Sequence, residues 1–169
     1  MGLFDKFKKK EQEAPAEITF PADLGAAAKG TFVPMGDIPD PVFSQGIMGT
    51  CCGIDPSEGK VYAPADGKIS QVTDTMHALG IEAGGMEILI HVGVDTVDMN
   101  GKGFTNKVKL NQAVKKGDLL LTMDLDAIKE AGHPATVIMA VTNTDDFASV
   151  EAVGSGAVQP GDAVLRVSK

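Results

Sequence analysis

The sequence predicts an all-β domain: an antiparallel β-sandwich or distorted barrel made of two related units, with one short helix. Three observations carry that reading. Gly (20) and Pro (9) together make up 29 of 169 residues, a share well above the average of about 12%. Chain-breakers at that density leave little room for long helices and favour short strands joined by tight turns. Short β-rich runs stand between the breakers, at residues 87–92 (EILIHV), 119–123, 136–141 and 163–167. An internal echo then pairs two stretches, AVKKGDLLL (113–121) with AVQPGDAVL (157–165). Each is an apolar pair, a turn closed by Gly-Asp and a β-run, as expected of duplicated β-units. A fainter echo sets PADLG (21–25) against PADG (64–67).

Taken in order, the chain opens on a basic stretch. Residues 1–10 carry Lys6, Lys8, Lys9 and Lys10 against Asp5, a charge of +3, while the whole chain sums to −8. As a helix this stretch would align Leu3, Phe4 and Phe7 on one side, an amphipathic pattern suited to weak contact with a membrane surface. Residues 11–17 (EQEAPAE) read as a disordered linker, so residues 1–17 form a tail and 18–169 the domain. One helix is expected, at 125–131 (LDAIKEA), with Asp124 as its cap and Gly132 and Pro134 ending it. His133 reads as a polar residue at that helix terminus. The adjacent Cys51 and Cys52 fit neither a disulfide framework nor a CxxC pair, and read as small packing residues. A net charge of −8 argues against nucleic-acid binding. No apolar run nears the ~20 residues of a membrane span, and the expectation is a soluble, cytoplasmic protein.

The chemistry gathers at His77 and His91. Alternation along 86–92 puts Met86, Ile88, Ile90 and Val92 on the core face, with Glu87, Leu89 and His91 on the other. A three-residue loop at 83–85 would set His77 directly opposite His91 on that second face, whereas a loop of even length would break the register. Two opposed imidazoles suit a metal site, although they fill only half a zinc tetrahedron. They equally suit covalent phosphoryl transfer, with one ring as nucleophile and the other as hydrogen-bond donor. An incidental cross-strand pair is the third alternative.

The stretch GMEILIHVGVDTV (85–97) resembles the phosphohistidine signature of the glucose-type IIA components of the bacterial sugar phosphotransferase system. That pattern is a Gly, a hydrophobic triplet, the phosphoacceptor His, then hydrophobic-Gly-hydrophobic-x-Thr-hydrophobic, and each position is met here. The resemblance continues through DIPDPVF (37–43), APADG (63–67), DTMHA (74–78), GKGF (101–104), VQPGD (158–162) and the opening MGLFDK. It implies the family's fold, a duplicated hybrid motif. It also implies that His91 accepts a phosphoryl group from the phosphocarrier HPr and passes it to a cysteine of a IIB domain of a sugar permease. His77 would steady that group, and Thr75 would belong to the hydroxyl network around the pair. Asp40 and Asp95 would face an arginine of HPr, while Phe43 and Leu89 would form the apolar rim on which partners dock. No cofactor is required by this reading. The resemblance also brings regulatory partners, transporters and glycerol kinase among them, on the same face, and zinc bridged by His77, His91 and a partner's carboxylate.

Departures from the family pattern leave the histidines untouched. The Gly84-Gly85 loop is a residue shorter than in the best-known members, Thr73 and Gly80 replace larger groups, and residues 23–30 read as a small insertion. Two rival classes fit less well. A lysostaphin-type zinc peptidase would use the His-x-x-x-Asp spacing of His91 and Asp95 but also needs a His-x-His, which is absent. A biotinyl or lipoyl carrier shares the Lys-Lys-Gly-Asp turn but needs a Lys flanked by Met at a hairpin tip.

Overall fold

The structure is a computed structural model and describes residues 17–169. The reading of residues 1–10 as an amphipathic surface segment lies outside the described residues. Fourteen strands are described: β1 Ala22–Gly25, β2 Gly30–Val33, β3 Thr50–Pro56, β4 Lys60–Tyr62, β5 Gly67–Val72, β6 Ala78–Ala83, β7 Met86–Val92, β8 Phe104–Asn106, β9 Ala113–Val114, β10 Leu119–Met123, β11 Val137–Val141, β12 Ser149–Ala152, β13 Ala157–Val158 and β14 Ala163–Ser168. Two short helices accompany them, α1 Pro41–Ser44 and α2 Leu125–Glu130.

An eight-stranded sheet runs β13-β2-β3-β11-β7-β6-β5-β9, and two three-stranded sheets run β1-β14-β12 and β4-β10-β8. All strand pairs are antiparallel. The main core lies between sheets and is aliphatic, with Leu24, Ile69, Ile81, Ile90, Leu121, Ile128 and Leu165 fully buried. A fully buried side chain of this kind contributes about 1.5–3 kcal/mol. The solvent-facing Asp23–Arg166 pair is screened by water and adds little.

The repeated AVxxGD motif governs this arrangement. In each copy the Asp side chain accepts the N–H two residues before the turn glycine, Lys115 N to Asp118 Oδ2 at 2.9 Å and Gln159 N to Asp162 Oδ2 at 3.0 Å. The glycines, Gly117 and Gly161, sit at φ of +92° and +96°, a region only glycine occupies freely. The Asp carbonyls reach equivalent partners, Asp118 O taking Ala63 N–H and Asp162 O taking Ala26 N–H, both at 2.8 Å. Two reciprocal bonds, Gly25 N to Pro64 O and Tyr62 N to Ala27 O, tie the units together at 2.9 and 2.7 Å. Gly30 stands opposite Val158 and Gly67 opposite Val114, so Gly30 is the counterpart of Gly67. A Cβ at either glycine would run into a carbonyl oxygen of the neighbouring strand.

These pairings correct one expectation. The PADLG echo is out of register, because the equivalent of 63–67 is 26–30 rather than 21–25. Residues 23–30 include most of β1, and Ala26, Ala27 and Ala28 are buried in the core. The expected helix forms at α2, and Asp124 caps it by accepting the Ala127 N–H at 3.1 Å. The helix α1 was not expected. It is one turn, begun by Asp40, whose Oδ1 accepts the Val42 N–H at 3.0 Å, and by Pro41 at its first position. Cys51 and Cys52 are buried, free thiols, and burial pushes them up to about 11 and about 12. They are packing residues with little thiolate at neutral pH.

Candidate functional site

The strand β7 buries alternate residues as expected, Met86, Ile88, Ile90 and Val92, and turns Glu87, Leu89 and His91 to the outer face. Beneath that face lies a second apolar cluster of Ile38, Phe43, Cys51, Val94, Ile138 and Ala140, with Leu89 packed against it. His91 is therefore carried by a central strand with its neighbours fixed on both sides, Ala78 across on β6 and Ile138 across on β11.

The chain direction after His91 decides the ring's chemistry. Gly93 takes φ of +80°, which returns its carbonyl to His91, and the Gly93 O lies 2.8 Å from His91 Nδ1. A carbonyl only accepts, so Nδ1 carries the proton and Nε2 holds the free lone pair. A side chain at Gly93 would collide with Thr96. Thr96 is fully buried, and its hydroxyl donates to the Val92 carbonyl, closing the turn. The Gly and Thr of the phosphohistidine-like signature thus have one shared task, to hold the carbonyl that sets the tautomer.

His77 reaches the same place by a route other than the expected one. The loop has two residues, Gly84 and Gly85, at φ of +58° and +87°, which is the left-handed pair that two-residue hairpins prefer. Ala83 then pairs with Met86 and Ala78, rather than His77, with His91. The direct opposition of the two histidines is therefore corrected by one residue. His77 lies outside β6, just after Met76 at φ of +58°, and its own carbonyl takes the Val92 N–H at 2.7 Å. The Thr73 hydroxyl closes the bend by donating to Ala78 O at 3.1 Å. This departure from the ladder swings the ring onto the outer face, where the two imidazoles stand edge to face with centroids 5.0 Å apart. Thr75 Oγ1 lies 2.6 Å from His77 Nδ1. With the hydroxyl as donor, the proton of a neutral His77 resides on Nε2.

His77 is 8% exposed and His91 half-buried. Burial pulls both rings below the ordinary histidine value, and for His77 the neighbouring His91 adds to the effect. The Gly93 carbonyl and the charges of Asp40 and Asp95 oppose the shift at His91. Both shifts favour the neutral imidazole. Asp40 caps α1, and Asp95, exposed at φ of +60°, begins the turn Thr96–Met99.

Phe43 is not on the rim. It is 4% exposed, and its ring stands 5.2 Å from that of His91, so it forms a wall beside that imidazole. Exposed apolar groups stand at Val42 and Ile47, on either side of Phe43 in the chain, and at Val97, two residues after Asp95. Sequence reasoning missed them, although recognising α1 would have turned Val42 about 100° away from the buried Phe43. It also missed Glu82 and Glu87, exposed and directly paired across the hairpin. Among the described residues no group of three or more His, Cys, Asp or Glu could hold a metal ion. His77 and His91 offer two ligands and no third stands beside them.

Residues 22–147 match the family described as phosphoenolpyruvate-dependent sugar phosphotransferase system, EIIA 1. The chain belongs to this family. It is 41% identical over 162 residues to the "PTS system glucose-specific EIIA component" of Halalkalibacterium halodurans, covering 95% of this chain and 91% of that one. It is 54% identical over 119 residues to the "PTS system glucosamine-specific EIICBA component" of Bacillus subtilis, covering 70% of this chain but only 19% of that longer protein. Among solved structures it is similar to the glucose permease IIA from Mycoplasma capricolum, with a TM-score of 0.77, 33% identity and coverage of 86% and 94%. The EIIA fold is the antiparallel β-sandwich described above, and EIIA proteins are phosphocarrier components of the sugar phosphotransferase system. No described helix is long and apolar enough to cross a membrane.

The opposing influences on His91 can be separated. Asp40→Asn and Asp95→Asn each remove a charge that favours the imidazolium, so each should lower the His91 titration midpoint followed by NMR. An unmoved or raised midpoint in both variants would show that these carboxylates do not act on the ring.

Proposed function

We propose that this EIIA domain carries the phosphoryl group on Nε2 of His91, taking it from HPr and giving it to a cysteine of a IIB domain. The observation that carries the reading is the Nδ1–H···O=C bond to Gly93, which leaves Nε2 as the only free nucleophile of a neutral ring. In the first step the P–N bond on the HPr histidine breaks as the bond to His91 Nε2 forms. Positive charge then develops on the ring, and the Gly93 carbonyl stabilises it through Nδ1–H. In the second step a thiolate attacks phosphorus and His91 leaves with its electron pair. His77, protonated at Nε2 through Thr75, donates to the phosphoryl oxygens, and Phe43 keeps water from one side of the group.

The surroundings fit loose, charge-steered partners. Acidic and apolar groups share the elements next to His91: Asp40 and Val42 at α1, Glu87 and Leu89 on the outer face of β7, and Asp95 and Val97 at the turn after it. Such a pattern speeds encounter with a basic partner and lets it leave again. The relation to the fused glucosamine-specific EIICBA protein supports a IICB permease as the acceptor. Regulatory partners such as transporters or glycerol kinase would use this same surface. Zinc enters only across such an interface, since two imidazoles need a partner's carboxylate to complete a site. We place the protein in the cytoplasm, with which two reduced, buried thiols agree. Residues 1–17 are read as a tail preceding the 18–169 domain, and residues 1–10 of that tail adsorb weakly to anionic lipid. A peptide of residues 1–17 should gain helical circular dichroism on anionic vesicles, and one that stays unstructured there would reduce the tail to a linker.

His91→Ala should abolish labelling by phosphoenolpyruvate, enzyme I and HPr without altering the fold. His77→Gln should still be labelled but transfer to IIB more slowly by about 10²–10³, the usual effect of removing one preorganised donor. Labelling that survives in His91→Ala would refute the assignment, and full transfer by His77→Gln would make His77 a bystander.

A further inference from the structure

The carbonyl that holds His91 is itself held. Gly93 N–H donates to Thr136 O at 2.8 Å and Val94 N–H donates to Pro134 O at 3.0 Å. The second bond leaves from the same peptide unit whose carbonyl accepts His91 Nδ1–H, so the two bonds polarise one another. Both acceptors lie on the irregular connection between α2 and β11. One side chain pins that connection to the sheet. Thr136 is 3% exposed, one of few buried polar residues among those described, and its Oγ1 donates to Asp55 Oδ1 on β3 at 2.8 Å. Its methyl group lies over Gly53, where an added Cβ would come within 2.9 Å of Thr136 Cγ2. A buried hydroxyl with one well-made bond has one orientation, and losing its partner carries the cost of leaving it unsatisfied.

We infer that Asp55 and Thr136 are positioning residues for His91. Their hydrogen bond sets where the Pro134 and Thr136 carbonyls stand, these set the Gly93–Val94 peptide, and that peptide sets how firmly His91 Nδ1–H is held while Nε2 gains and loses phosphorus. Neither residue touches the reacting atoms. The inference rests on the reading of His91 as the phosphoacceptor. Asp55 acts as a hydrogen-bond acceptor rather than as a charge; the charges that act on His91 are Asp40 and Asp95, with His77 as its titratable neighbour.

Two readouts on the full chain test this: the His91 Nδ1–H resonance and titration by NMR, and single-turnover phosphorylation by phospho-HPr. Thr136→Val keeps the shape and removes the donor, while Asp55→Ala, at an exposed position, removes the acceptor. Each should move the Nδ1–H resonance and slow phosphorylation by about 2- to 10-fold, the weight of one hydrogen bond. The double variant should be no slower than either single one. Asp55→Asn, which keeps the acceptor oxygen and loses the charge, should restore both readouts. Unchanged Nδ1–H and rate in Thr136→Val and Asp55→Ala would overturn the inference, as would Asp55→Asn behaving like Asp55→Ala. If the unaltered chain is not phosphorylated on His91, the phosphoacceptor reading fails by itself, and the NMR comparison still decides whether Asp55 and Thr136 position the ring.

Discussion

The hydrogen bond from His91 Nδ1 to the Gly93 carbonyl is the interaction on which the site depends. A histidine with both nitrogens free can present either tautomer, and only one offers its lone pair at a defined point in space. Here the strand supplies the ring, and the turn directly after it supplies the acceptor. That arrangement is available only if the residue two beyond the histidine takes a positive φ, which explains Gly93. The buried Thr96 then secures the turn from the far side. Burial favours the neutral ring, while the carbonyl and two carboxylates oppose that shift. A phosphocarrier requires that balance, since it must accept and release the same group.

The duplicated frame makes such a site affordable in a chain with few helices. Two copies of the AVxxGD turn bond to equivalent backbone positions of the opposite unit, and two reciprocal bonds join the units. Symmetry of this sort gives both ends of the large sheet the same anchoring. At the centre of the sheet β11, β7 and β6 lie side by side, so β7 is paired along both edges. His91 stands on that strand. Departures from the symmetric plan are concentrated on the outer face: the bend that carries His77, the single turn α1 that carries Asp40 and Phe43, and the turn after Asp95.

Much of this was legible in the residues because it depends on local rules. Alternation in 86–92 separated the core face from the His91 face, and the run 119–123 matches β10 to the residue. Asp124 marked the start of α2 for the same reason it caps it. What could not be read depends on choices that local chemistry leaves open. A Gly-Gly step serves a two-residue or a three-residue loop, and only tertiary packing selects between them; the wrong choice shifts His77 by one position. Phe43 carries no signal that distinguishes a buried wall from an exposed rim, because the distinction is made by Cys51 and Ile138 packing from distant strands. The helix α1 was within reach, since an Asp-Pro start is an N-terminal signature, yet one turn is too short to show a period. The echo of 21–25 with 64–67 shows that two similar strings can be less equivalent than two dissimilar ones, for Lys29 occupies the place of Asp66 once Gly30 is set against Gly67.

The central claim concerns one nitrogen atom, and it can be addressed directly. Phosphorus-31 and nitrogen-15 NMR of the phosphorylated full chain would locate the P–N bond and the remaining ring proton together. The account predicts phosphorus on Nε2 of His91 with Nδ1 still protonated and hydrogen-bonded. Phosphorus on Nδ1 of His91, or on either nitrogen of His77, would contradict it.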